Sequence, residues 1–393
     1  MGLTLQDIFC QCYPDYERTH PLPLHVRKAA QTIMQCRTAA LGGHVQACPE
    51  GHFSRIWYNS CRHRACPQCA FIQTERWLAA QQARLLACDH YHVIFTLPHE
   101  LNALWLSNVE TLSQILFHSA RETLFGLLGD AKYLGAKPGL IAALHTWSQT
   151  LVLHPHLHCL VTGGGINPQG DWVRARHSHL LPARVVMALF RGKMVAGLRR
   201  ALESDELVLP DGMRPQQFRN LLNRLGHAKK TRWHVRIMER YRHGQGVATY
   251  LARYMRGGPL KNSRLLGMDP EHVSFTYRGS SEQAGSRGQA VMRLSLNDFI
   301  GRLLLHVPPP RLRVVRSYGL YHHQQAPCLD ACRAQLGQPP IEAPEAMRWT
   351  EVCGRIGEPH AERCPSCGSE LVVSGRIARS GSPPPLLVGA LAA

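Results

Sequence analysis

Apolar and polar positions alternate along several short stretches of the chain, and helical periodicity separates them. Residues 92–98, 140–146 and 233–238 have the composition of strands, and 273–277 with 291–295 predict a hairpin around a Gly/Ser-rich loop. Interleaved strands and helices predict an α+β domain on an antiparallel or mixed sheet. Apolar residues recur at helical spacing in the intervening stretches, which are 71–87, 101–128, 182–202, 215–225 and 297–306.

A further buried strand is predicted from His154 into a run of three glycines. Strand side chains alternate between faces, so His156 and His158 point to one side and Leu157 to the other. Two imidazoles on one strand face form a ready pair of metal ligands. The chain has 23 histidines, so two hydrogen-bonded histidines without metal are an alternative interpretation.

Residues 246–256 predict a helix that a Gly-Gly-Pro sequence ends. Tyr250 and Tyr254 are four positions apart, so both phenols emerge on the same helix face. An aromatic core stripe has the same spacing. A core stripe does not need the interleaved Arg253 and Arg256, and these side chains favour an exposed, anion-binding face.

Size and charge narrow the class of protein. A chain of 393 residues can hold two or three domains. Its 45 Lys and Arg against 27 Asp and Glu give a net charge of +18, which indicates a polyanionic partner, nucleic acid first. We expect no membrane span and no signal peptide, and therefore a cytoplasmic protein. In that reducing compartment the 14 cysteines are expected to bind metal.

Residues 36–69 are dense in zinc-ligand side chains. Cys66 and Cys69 form a Cys-x2-Cys knuckle, and Cys48 with His52 resembles a second one. Scattered free cysteines are the alternative, but knuckle spacing twice in a short region favours one or two zinc ions. Arg62 and Arg64 between the ligands suit phosphate contacts, so we expect a DNA-binding zinc module. The candidate ligands are Cys36, His44, Cys48, His52, Cys61, His63, Cys66 and Cys69.

A third knuckle, Cys364 with Cys367, predicts a small zinc ribbon within residues 326–375. Its other two ligands would be Cys353 and His360, or Cys328 and Cys332 instead. The Gly/Ser/Pro-rich residues 376–393 are expected to be disordered.

Cleavage of a phosphodiester by tyrosine needs a cation that polarises the phosphate and a phenol in line with it. A metal on His156 and His158 would supply the first, and Tyr250 or Tyr254 the second. Two tyrosines would let one active site cut two strands in turn, as strand transfer requires.

These motifs resemble the HUH single-strand endonucleases and, in their order along residues 30–325, the rolling-circle transposases of the IS91 type. The resemblance rests on the Cys-rich amino region, His156-Leu157-His158, the Tyr250–Tyr254 helix, and residues 299–302 with 318–319. It implies a central antiparallel sheet flanked by helices, a 5′-phosphotyrosine with a free 3′-OH, and catalytic Mg²⁺ or Mn²⁺. The implied partners are single-stranded element ends and target DNA in bacteria. The expected domains are a zinc-binding module with a linking helix (1–88), a catalytic domain (89–325), the ribbon (326–375) and the tail (376–393).

Several residues are candidates for the third metal ligand and for the phosphate contacts. HUH relatives use a Gln, Glu, Asp or His as third ligand, and Gln149 is our candidate, with His154 and Gln245 as rivals. Arg253, Arg256 and Lys261 are the expected phosphate contacts beside the tyrosines. A replication initiator or relaxase would share this chemistry, and a non-catalytic zinc-dependent DNA-binding protein is the non-enzyme alternative.

Overall fold

A computed structural model describes most of the chain, with side chains except those of residues 70–73, 238 and 239. The described residues are 2–175, 180–227, 233–241, 258–279, 288–342, 344, 345, 351, 354 and 362–380. Helices and antiparallel strands both contribute, so the predicted α+β class is confirmed. Among the described residues, no helix combines the length and apolar character needed to cross a membrane.

Of the described helices, the six between residues 67 and 304 lie close to the predicted stretches, whereas those at 5–19, 24–34 and 326–335 lie outside them. They are α1 (Leu5–Thr19), α2 (Leu24–Met34), α3 (Pro67–Arg84), α4 (Asn102–Ser107), α5 (Val109–Gly129), α6 (Ala183–Glu203), α7 (Pro215–Gly226), α8 (Leu296–Leu304) and α9 (Ala326–Gln335). The strands are β1 (Gly43–Ala47), β2 (Ser54–Tyr58), β3 (His90–Thr96), β4 (Lys137–Trp147), β5 (Leu153–Ile166), β6 (Trp172–Arg174), β7 (His234–Tyr241), β8 (Leu265–Met268), β9 (His272–Arg278), β10 (Gln289–Ser295), β11 (Val315–Gly319) and β12 (Val372–Ile377).

The central sheet is antiparallel, with strand order β11–β4–β5–β3–β7 and β6 paired to the far part of β5. The glycines that follow the histidine motif belong to β5. At Gly164 a Cβ atom would lie 2.5 Å from the Trp172 ring of β6, so a larger residue there would push the two strands apart. The run of glycines therefore lets the far part of β5 pack closely against β6.

One face of this sheet carries the main hydrophobic core. Leu157 and Phe95 are fully buried there against α4–α7. The ring of Phe190 on α6 lies 4.7 Å from that of Phe95 and 5.6 Å from that of Trp233. Each fully buried side chain of this size contributes about 2 kcal/mol by leaving water. The core therefore holds β5 from one side. The other face of β5 carries His156 and His158 and, further along, Leu160, which packs in a smaller apolar cluster with Ile141 and Leu320.

A second core joins regions that are far apart in sequence. Phe9 and Tyr13 of α1 pack with Phe275 of β9 and Phe299 of α8. Helix α1 begins with a capping box in which Thr4 and Asp7 bond each other's backbone N–H groups. The amino-terminal helices therefore pack on residues that the sequence analysis assigned to the catalytic domain.

A small three-stranded sheet has the order β12–β1–β2. Strand β12, at residues 372–377, pairs antiparallel with β1 of the amino-terminal region. This pairing corrects the expectation of a separate ribbon within 326–375. Strand β12, which follows the knuckle of Cys364 and Cys367, belongs to the amino-terminal sheet. The pairing also corrects the start of the expected tail at residue 376, because Arg376 and Ile377 belong to β12.

Candidate catalytic and metal-binding sites

Three histidines from two neighbouring strands share one face of the central sheet. On β5, His156 and His158 lie two positions apart, and Leu157 between them faces the core. The antiparallel register places His145 of β4 directly opposite His156. Paired residues of neighbouring strands project to the same face, so three imidazoles converge.

The spacing of these imidazoles fits one shared metal ion. His156 Nε2 and His158 Nε2 are 3.0 Å apart, and nitrogens of all three histidines lie within 4.8 Å of one another. Two nitrogens bound at right angles to one ion at about 2.1 Å would be about 3.0 Å apart. His156 Nδ1 donates to the carbonyl oxygen of His154 at 2.6 Å. That bond leaves the Nε2 lone pair available, as in known metal-bound histidines.

Burial keeps His156 and His158 neutral. Desolvation lowers the pKa of His156 to about 4. Burial, and then the proximity of His145, lowers the pKa of His158 far below its ordinary value. His92 of β3 lies with Nε2 2.8 Å from His158 Nδ1, and burial lowers its pKa to about 3. Neutral imidazole is the form that binds metal, so this face is ready for metal at pH 7.

Ring stacking and hydrogen bonds fix the connection between β4 and β5. The Trp147 ring stacks on that of His145, with centroids 4.5 Å apart. Buried His306, just after α8, donates from Nε2 to the Leu151 carbonyl at 3.0 Å and accepts from the Thr146 hydroxyl at 3.1 Å. The turn that leads into the histidine strand is therefore anchored to the second core.

Gln149, the third ligand predicted from sequence, does not join the histidines. It is exposed in the β4–β5 turn, and its carbonyl oxygen accepts a bond from Arg264. His145 takes the third place because strand pairing brings it opposite His156. The rival His154 is exposed, with its ring 5.1 Å from that of His156, and Gln245 lies outside the described residues. The predicted strand 140–146 was the signal that could have identified His145.

Both candidate nucleophiles, Tyr250 and Tyr254, lie outside the described residues, as do Arg253 and Arg256. Lys261, just beyond that segment, is exposed.

Arg264 is a residue that the sequence analysis missed. Its half-buried guanidinium donates to the carbonyl oxygens of Gln149 at 2.6 Å, Thr276 at 2.7 Å and Pro259 at 3.4 Å. One side chain thus connects the turn before β5, strand β9 and the residues that follow the two-tyrosine stretch. Its isolated position outside any motif gave no signal in the sequence.

The first cysteine cluster consists of Cys36, Cys61, Cys66 and Cys69. Cys69 Sγ lies 3.3 Å from Cys36 Sγ and 3.4 Å from Cys61 Sγ, much longer than the about 2.05 Å of a disulfide. Cys66 caps α3 and Cys69 lies in its first turn, where the helix dipole favours thiolates. Hydrogen bonds from neighbouring thiols, led by Cys36, lower the pKa of Cys69. Four cysteine sulfurs gathered in this way form a structural zinc set.

The second cluster brings together Cys48, His52, Cys364 and Cys367. Cys48 Sγ lies 3.5 Å from Cys367 Sγ and 4.0 Å from His52 Nδ1. Bonds with Ser369 and then His52 lower the pKa of Cys367 to about 6, which favours its thiolate.

The remaining candidate zinc ligands have other surroundings. His44 belongs to neither cluster, because its place within β1 pairs it with Trp57 and Arg376. The Nδ1 atom of His63 accepts a bond from the Ala65 N–H. Cys328 and Cys332 pack around the core beneath α9, and Cys353 and His360 lie outside the described residues.

The two arginines proposed as DNA contacts differ in their surroundings. Arg62 is exposed, with a left-handed backbone at φ 54°. Arg64 donates to the carbonyl oxygens of Leu312 at 3.1 Å and Pro309 at 3.4 Å. Arg64 therefore ties the first cysteine cluster to the loop before β11.

Two protein-family models match this chain. One, described as "Transposase zinc-binding domain", matches residues 8–97, and one described as "Putative transposase" matches residues 139–327. The first range contains the four cysteines of the first cluster. The second contains the three converging histidines and both candidate tyrosines.

Two curated proteins are similar over most of the chain. A Sinorhizobium fredii protein described as "Putative transposase y4qJ" is 34% identical over 395 aligned residues, covering 98% of each chain. The "Transposase for insertion sequence element IS801" of Pseudomonas savastanoi pv. phaseolicola is 29% identical over 294 residues, covering 73% of this chain and 68% of that protein. No solved structure matches.

Proposed function

We propose how this chain, which belongs to the IS91-type transposases with an amino-terminal zinc-binding domain, acts on DNA. The protein nicks single-stranded DNA at element ends and rejoins it through 5′-phosphotyrosine intermediates. One observation carries the proposal: His145, His156 and His158 converge within the part matched by the transposase family model. Such a set can hold the cation that polarises a scissile phosphate, a role that DNA binding alone does not require.

The three histidines would hold the catalytic ion. A divalent cation bound there would polarise the scissile phosphate and stabilise its developing negative charge. The family resemblance implies Mg²⁺ or Mn²⁺. An all-imidazole set favours Mn²⁺ of the two, because Mg²⁺ prefers oxygen ligands and binds imidazole poorly.

Tyr250 and Tyr254 are the proposed nucleophiles, by their match to the two-tyrosine motif. The phenol oxygen of one tyrosine bonds to phosphorus as the bond from phosphorus to the 3′ oxygen breaks. The phenol proton ends on that 3′ oxygen, which leaves as a free hydroxyl. The second tyrosine repeats the step on another strand, and each 3′-hydroxyl can later attack the other phosphotyrosine to rejoin DNA.

The chain's positive charge supports binding of a nucleic-acid backbone near this site. Exposed Lys261 follows the two-tyrosine stretch, and Arg253 and Arg256 lie within it. Phosphate contacts of this kind supply affinity without sequence specificity. We also propose Arg62, in the amino-terminal module, as a phosphate contact.

A covalent-adduct assay tests the proposal. The full-length protein is incubated with labelled single-stranded element ends and Mn²⁺, and denaturing gels reveal protein-linked DNA. We expect the adduct to disappear in H156A and in a variant carrying both Y250F and Y254F. The matched controls are H118A, at an exposed position on α5, and Y133F. Adduct formation by the double tyrosine variant would refute the proposed nucleophiles.

A further inference from the structure

We propose that residues 364–367 complete a second structural zinc site with residues 48–52, so that one ion joins parts of the chain more than 300 positions apart. The site is Cys48, His52, Cys364 and Cys367. The zinc-binding family model ends at residue 97 and therefore contains only half of these ligands. The inference concerns metal binding and does not depend on the proposed DNA chemistry.

The donor set and its spacing identify the metal class. Cys48 Sγ is 3.5 Å from Cys367 Sγ and 4.0 Å from His52 Nδ1, and all four donor atoms lie within 4.8 Å of one another. Sulfur atoms bound tetrahedrally to zinc at about 2.3 Å are about 3.8 Å apart. A disulfide would require about 2.05 Å. Three thiolates and one imidazole are a typical structural zinc set.

Each knuckle contains a tight backbone turn closed by a left-handed glycine. Gly51 and Gly368 both adopt a left-handed conformation, with φ of 75°. The Gly51 N–H bonds to the Cys48 carbonyl at 3.0 Å, and the Gly368 N–H bonds to the Cys364 carbonyl at 2.9 Å. Gly51 precedes the second ligand of its knuckle, His52, and Gly368 follows the second ligand of the other, Cys367. In each knuckle the turn folds the chain back, so that its two ligands come close together.

Strand pairing delivers the two knuckles to the same place. Strand β1 ends at Ala47, just before Cys48, and β12 begins at Val372, shortly after Cys367. The register pairs Ala47 with Val372. Because the strands are antiparallel, the end of one lies beside the start of the other. Both knuckles therefore emerge at one end of the small sheet.

Apolar burial is too small to hold this carboxy-terminal segment by itself. Of residues 362–380, Cys364 and Leu371 are buried, whereas Val372 and Val373 are 48% and 60% exposed. Ordering the backbone costs about 1–2 kcal/mol per residue, and a buried side chain returns only about 2 kcal/mol. Structural zinc binding contributes about 10–16 kcal/mol in small modules. The metal is therefore the main force that attaches residues 362–380 to the amino-terminal sheet.

Zinc counting by native mass spectrometry tests this pairing on the full-length protein. We expect C48S and C364S each to lose one zinc relative to the unchanged chain. The variant carrying both substitutions should lose that same single ion. The control C328S should lose none. If Cys364 instead pairs with Cys353 and His360, the double variant loses two ions, and the proposal fails.

A second measurement does not depend on the variants folding. The unchanged, zinc-loaded protein is treated with a mild thiol oxidant, which forms disulfides between neighbouring zinc-bound thiolates as the metal is released, and is then mapped by peptide mass spectrometry. A disulfide-linked peptide that joins Cys48 to Cys364 or Cys367 supports the site. Linkage of Cys367 to Cys353 instead would overturn it.

Discussion

His145 on β4 lies directly opposite His156 on β5. This pairing adds the imidazole of His145 to those of His156 and His158, and the ring of Trp147 stacks on that of His145. The set therefore depends on the register between β4 and β5 as much as on the histidine motif.

Removing His145 should weaken metal binding at this site. We expect H145A to lower the affinity for Mn²⁺ by at least about tenfold, because a lost ligand costs no less than a lost supporting partner. Calorimetric titration of the zinc-loaded protein measures this. Q149A should bind Mn²⁺ normally, since that side chain is exposed. An equal loss of Mn²⁺ affinity in H145A and Q149A would argue against His145 as the third ligand.

Replacing Arg264 should destabilise the fold and slow cleavage. R264M leaves the carbonyl oxygens of Gln149, Thr276 and Pro259 without this donor. We expect a loss of about 1–3 kcal/mol in the free energy of unfolding, measured by urea denaturation. R278M, at an exposed position, is the control. Adduct formation should fall while Mn²⁺ affinity changes little, because Arg264 acts on the turn and not on the ligands.

Acid should destabilise the protein through His306. Burial lowers its pKa to about 4, against an ordinary 6.5. Between pH 4 and pH 6.5 the unfolded chain binds a proton at His306 that the native state does not bind. The contribution of neutral His306 to the free energy of unfolding is therefore fully present above pH 6.5 and is lost as the pH falls toward 4. The full effect is about 3 kcal/mol.

Melting temperatures from pH 7 to pH 4 test this prediction. Acidification should lower the melting temperature, and H306Q should show a shallower slope although it is less stable at pH 7. His92 and His156 act in the same direction, so some slope will remain. An unchanged slope in H306Q would contradict the assignment to His306.

Loss of the first cysteine cluster should unfold the amino-terminal helices selectively. Cys36, Cys66 and Cys69 border the core that contains Phe9 and Phe299. We expect C69S to expose α1 and α2 to protease while the β3–β5 core stays protected. Limited proteolysis with peptide mapping measures this, and C328S serves as control. Uniform protection in C69S would show that zinc is not needed there.

Patterns within single elements were enough to predict much of this protein. Alternation along β5 predicts that His156 and His158 share a face, and the Cys-x2-Cys spacings predict the knuckles around Cys66 and Cys364. Helical periodicity located the helices because spacing along one helix fixes which residues share its apolar face. The same reasoning supplied the α+β class, whereas the family came from the resemblance of several motifs taken together in their order along the chain.

Only the tertiary structure decided which elements meet. His145, and not Gln149, lies beside His156 and His158, because the register between β4 and β5 places His145 opposite His156. Cys48 lies beside Cys367 because β12 pairs with β1, and His44 is left out because it lies within that pairing. Spacing along one element says nothing about pairing across more than 300 residues, because the choice of partner depends on packing throughout the chain.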